Sequence, residues 1–130
     1  MGGFRKYLRA VALLCALAAP LAARADADIP DDPVHFFATC AGRMSALMEH
    51  QWIVDGPASE VTKARRDAVV EVLEAMMPRG DGARVMGWRV EAKAAHAALL
   101  GQVRHGPEAV RARAERRALA LIAECEAFLS

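Results

Sequence analysis

The chain contains no asparagine, three serines (Ser45, Ser59 and Ser130) and an aromatic fraction of 5% in 130 residues. Without asparagine there is no N-x-[ST] acceptor, which fits a bacterial chain. None of the serines sits in a G-x-S-x-G turn, and neither an H-E-x-x-H pair nor a phosphate-cradling glycine loop occurs. The C-x-x-C-H signal for attached haem is missing too. Beyond residue 25 no stretch alternates apolar and polar residues as a half-buried strand does. The one long apolar run, Ala10 to Ala23, is about 14 residues, short of the ~20 that cross a bilayer. β folds, a spanning helix and the contiguous catalytic motifs are thereby set aside.

The opening residues carry an address. Arg5, Lys6 and Arg9 precede the apolar run, Pro20 breaks it, and Ala23-Arg24-Ala25 stands just before Asp26. That is the build of a secretory signal peptide with an A-x-A cleavage site. Cys15 lies mid-run behind Leu13 and Leu14, the wrong setting for a lipoprotein, and no arginine pair marks a twin-arginine route. The expected division is a cleaved leader at 1–25 and a single helical domain at 26–130, exported to the periplasm of a bacterium or secreted. Cleavage removes four of the 17 basic residues and none of the 16 acidic ones, turning a formal +1 into −3. A slightly acidic exported domain has no global attraction to nucleic acid, and membrane contact is at most peripheral.

Two cysteines remain, Cys40 and Cys125, and an even count in an exported chain reads as a disulfide. The residues between them favour helix: Ala, Arg, Glu, Met and Leu dominate. Punctuation cuts four helices. Asp31-Asp32-Pro33 opens the first, which runs to about Val54; Asp55-Gly56-Pro57 starts the second, which reaches Met77. The turn Arg79-Gly80-Asp81-Gly82 leads to a third from about Ala83 to Arg104, and Pro107 opens a fourth to Leu129. Short connections between helices of this length predict an antiparallel up-down-up-down four-helix bundle. In that topology Cys40 and Cys125 lie roughly 10 and 6 Å from the same end, at ~1.5 Å per residue. Each also falls in its helix's apolar stripe, so Cys40–Cys125 is geometrically feasible.

Some polar residues fall inside these stripes. In the second helix the wheel puts Arg65 among Val61, Ala68, Val69, Val72 and Met76; in the first it places Gln51, and in the third Arg89 and His96. Gln51 lies roughly 27 Å above the cysteine end and Arg65 and His96 roughly 21 Å, so the three are expected to converge, with Glu49 or Glu60 as an available partner. Such groups must pair with one another or with a ligand. Gln51, Arg65 and His96, walled by Trp52, form the candidate site for a small anionic ligand. Met44, Met48, His50 and His96 form a weaker candidate set for copper or haem, because thioether and imidazole ligands suit both. Arg104, Arg111, Arg113, Arg116 and Arg117 make a local basic patch. The leading expectation is a non-catalytic binding or accessory protein that engages a protein partner or small ligand, with no cofactor. It would do so through the end built from the 1/2 and 3/4 helix ends. The alternatives are a copper or haem carrier and a small hydrolase around His96 and Arg65.

Overall fold

The computed structural model describes residues 29–130; the leader pattern at 1–25 lies outside them. Four helices follow in order: α1 (Pro33–Val54), α2 (Gly56–Met76), α3 (Gly82–His105) and α4 (Glu108–Glu126). The bundle is all-α among the described residues, and Cys40 and Cys125 are joined by a disulfide with Cα atoms 5.6 Å apart. None of these helices is long and apolar enough to cross a membrane.

The helix ends follow from local chemistry. Asp32 accepts a hydrogen bond from the His35 N–H at 3.0 Å, and Pro33 occupies the first turn, where its missing N–H costs nothing. Asp55 serves two helices. Its backbone N–H donates to the Gln51 carbonyl to close α1, and its carboxylate accepts from the Ala58 N–H at 3.2 Å to open α2. Between α2 and α3 the chain reverses through Gly80, whose φ of +88° is a conformation that disfavours any residue with a Cβ.

Helix directions alternate along the chain, and α1 is the hub. It packs extensively on both α2 and α3 and touches α4, while α2 and α3 make no backbone-level contact with each other. Against α2 it runs antiparallel: Ala38 packs with Leu73, and Cys40 and Met44 pack with Val69. Against α3 it runs parallel, since His35 meets Trp88 edge-on at 4.7 Å and Ala46 packs with Leu100. Gly42 makes the α1–α3 approach possible. A Cβ there would lie 2.2 Å from the Arg89 carbonyl oxygen and 2.9 Å from the Lys93 nitrogen. The most intimate neighbours are therefore a parallel pair, which short loops alone do not predict.

The disulfide sits in the largest cluster, with Ala41, Met44, Val69 and Ile122, flanked by Phe36 and Phe37. Phe36, Phe37 and Phe128 meet edge-to-face at 4.8–6.0 Å, so three of the chain's few aromatics close this end. Arg43 ties α1 to α4 beside the bond, donating to the Leu121 carbonyl at 3.3 Å and to Glu124 at 3.0 Å. Further up, Ala46, Leu100 and Ala118 form a thinner layer.

The face of α2 departs from the wheel. Its buried residues are Ser59, Thr62, Val69 and Leu73, whereas Val61 and Val72 are exposed at 52% and 40%. The helix is rotated relative to that expectation, and the small hydroxyl residues Ser59 and Thr62 take the buried face near its start, with Ser59 Oγ unpaired. Arg65 turns outward with the valines and pairs with Glu126 of α4.

Candidate binding cleft

The end of the bundle away from the disulfide is open. Here α1, α3 and α4 line a cleft of about 270 Å³. Helix α1 contributes Leu47, His50, Gln51 and Val54; α3 contributes His96, Leu100 and Val103; α4 contributes Glu115, Ala118, Leu119 and Ile122; Asp55 stands at the α1–α2 junction. Each set recurs every three or four residues, the spacing that keeps one helix face turned inward. Ala118 is buried and supplies only a methyl group, which leaves room that a larger side chain would fill.

Polar atoms in this cleft lack partners. His96 is 1% exposed, and neither of its ring nitrogens has a hydrogen-bond partner. The Oε1 of half-buried Gln51 is buried and unpaired as well. A buried polar atom left unsatisfied costs about 1–3 kcal/mol, and three such atoms belong to two residues of one cleft. Burial holds the His96 pKa down at about 4, helped by the positive field of Arg43 and by His50. His50 is also pushed below the ordinary histidine value, first by burial and then by Arg104. At neutral pH His96 is an uncharged ring with one N–H donor and one nitrogen acceptor.

The candidate residues divide. Gln51 and His96 come together as expected, and His50 joins them. Arg65 does not, because the rotation of α2 carries it to the surface and its ion pair with Glu126. Trp52 does not wall the cleft: it follows Gln51 on α1, turned outward and 60% exposed. Met44 packs against Cys40, Val69 and Ile122, and Met48 is buried, so these thioethers belong to the core and not to the cleft wall. Glu49 is taken up by Lys93 at 2.5 Å. Arg104, Arg111, Arg113, Arg116 and Arg117 are all exposed. At about 100° per residue, Arg111 lies across α4 from the arc of Arg113, Arg116 and Arg117, so they do not form a single face. Among the described residues no three His, Cys, Asp or Glu side chains gather as a metal-ligand group.

Sequence reasoning missed Asp55, Glu115 and Leu119. Glu115 lies three residues before Ala118, at the edge of the α4 stripe, and this spacing was the available signal. Compared with protein families, curated proteins and solved structures, the chain has no significant match.

Proposed function

We propose that the chain is an exported, non-catalytic binding protein that takes up a small molecule in the cleft at the end of the bundle opposite the disulfide. One observation carries this reading: His96 and Gln51 hold three unpartnered buried polar atoms in a cleft whose other walls are mostly aliphatic. Ligand sites have this composition, an apolar wall with a few convergent polar groups. The anionic ligand loses its support, since Arg65 lies outside the cleft while Asp55 and Glu115 line it. A hydrolase built on His96 and Arg65 loses its second member in the same way. Export rests on the leader pattern at 1–25, and a disulfide accords with an oxidising compartment.

The test is a thermal-shift screen of small molecules against the native protein and Ala118→Leu, which adds bulk to the cleft wall. Ligands of the cleft raise the melting temperature of the native protein and leave the variant unmoved. Shifts of equal size in both proteins, or no shift from any compound, would defeat the reading.

A second reading, a copper or haem carrier, draws on His50 and His96 lining the same cleft. Met44 and Met48 can complete such a site only by leaving the core. A visible spectrum and metal analysis of the purified protein decide between the two.

A further inference from the structure

We propose that the cleft takes a small neutral amphiphile, its apolar body among Leu47, Leu100 and Val103 and a single hydroxyl head meeting His96 and Gln51. This rests on the binding reading above and names its ligand class.

The head follows from the orphaned atoms. Uncharged His96 offers one donor and one acceptor, and Gln51 Oε1 offers a second acceptor. A hydroxyl donates once and accepts up to twice, so it can accept from the His96 N–H and donate to Gln51 Oε1, answering two of the three atoms. A carboxylate only accepts. No Lys or Arg lines the cleft to balance its charge, and Asp55 and Glu115 repel it. An ammonium has the opposite defect. Asp55 and Glu115 attract it, but beside His96 it enters the positive field of Arg43, and it must shed its water to get there.

The body follows from the walls. The cleft volume of about 270 Å³ lies at the low end for ligand sites, so the occupant is small. Val54 and Leu119, exposed at 58% and 64%, continue the apolar surface from the cleft to the outside, along which a chain can extend.

Three probes with one eight-carbon tail separate the possibilities: 1-octanol, octanoate and octylammonium, each titrated calorimetrically at pH 7 into the disulfide-intact protein. 1-Octanol is expected to bind at least about ten-fold tighter than either ion, since a buried hydrogen-bonded head is worth about that factor. His96→Phe is expected to weaken 1-octanol by about that factor and so narrow the preference, and Ala118→Leu to abolish binding of all three. In the native protein, perturbation of the His96 ring nitrogen resonances by 1-octanol locates the head without any substitution. If octanoate or octylammonium binds as tightly as the alcohol, the ligand class is wrong although the cleft still binds. If none of the three binds, the ligand class falls; if Ala118→Leu leaves binding intact, the cleft is not the site and the binding reading falls with it.

Discussion

At neutral pH His96 is a buried, uncharged ring whose proton affinity has been lowered by its surroundings, and that sets a pH dependence of stability. In the unfolded chain the ring titrates near its ordinary value of 6.5, and in the fold near about 4. Between these values the unfolded chain binds the proton and the folded one refuses it, so stability rises with pH across the window. The contribution is fully present above about 6.5 and is lost as pH falls through about 4. A shift of this size corresponds to a full loss of roughly 3 kcal/mol. Burial comes first, and Arg43 and His50 also disfavour the protonated ring. Denaturant melts at pH 7 and pH 4.5 are expected to show a marked fall for the native protein and a smaller one for His96→Leu. Equal falls would place the pH sensitivity elsewhere. The same substitution removes two orphaned nitrogens and is expected to stabilise the fold at both values.

Between elements, the contact that organises the bundle is the parallel α1–α3 pair, and it depends on a missing side chain. A methyl group at position 42 would overlap the Arg89 carbonyl, which is fixed backbone and cannot swing aside. Gly42→Ala therefore sets the modest gain of alanine's helix propensity, under ~1 kcal/mol, against overpacking of ~1–3 kcal/mol or more. Overpacking wins, so the expected result is a lower urea midpoint with α-helical circular dichroism retained. An unchanged or raised midpoint would show that α1 and α3 sit farther apart. This pair also marks the limit of what the sequence discloses. Helix ends were legible because Asp32, Asp55 and the prolines beside them act within one turn of chain. Faces were legible where long apolar residues repeat, as Leu121, Ile122 and Cys125 do on α4. The face of α2 was not, because Ser59 and Thr62 are buried by their smallness and Val61 and Val72 are left outside, contrary to hydrophobicity. Arg65 was misplaced with them, and with it the charge expected in the site. Gln51 and His96 were found because a polar residue inside a well-formed stripe is an anomaly that wheel and height both register.

Over the whole molecule, one covalent link joins the first helix to the last across 85 residues of chain. In the chain-entropy account a loop of that length removes ~4–5 kcal/mol of freedom from the unfolded ensemble. Few other features of the domain match this. The core layers beyond the disulfide cluster rest on alanines such as Ala38, Ala46 and Ala118, and a domain of this size retains only ~5–15 kcal/mol in total. Both cysteines are buried, at 0% and 1% exposure, so reductant must wait for unfolding before it can reach the sulfurs. A melt in dithiothreitol alone can therefore understate the link, and the Cys40→Ala/Cys125→Ala variant is the cleaner probe. For a chain near 100 residues each kcal/mol moves the midpoint about 4–8 °C, so the double variant is expected to melt on the order of 20 °C lower. A drop of only a few degrees would mean that packing of Phe36, Phe37 and Phe128 already brings the helix ends together. The measurement also bears on the cleft. It lies at the opposite end and shares Ile122 with the disulfide cluster, so weakened ligand binding in a still-folded double variant would show that the link holds α4 in register for the site as well as for the fold.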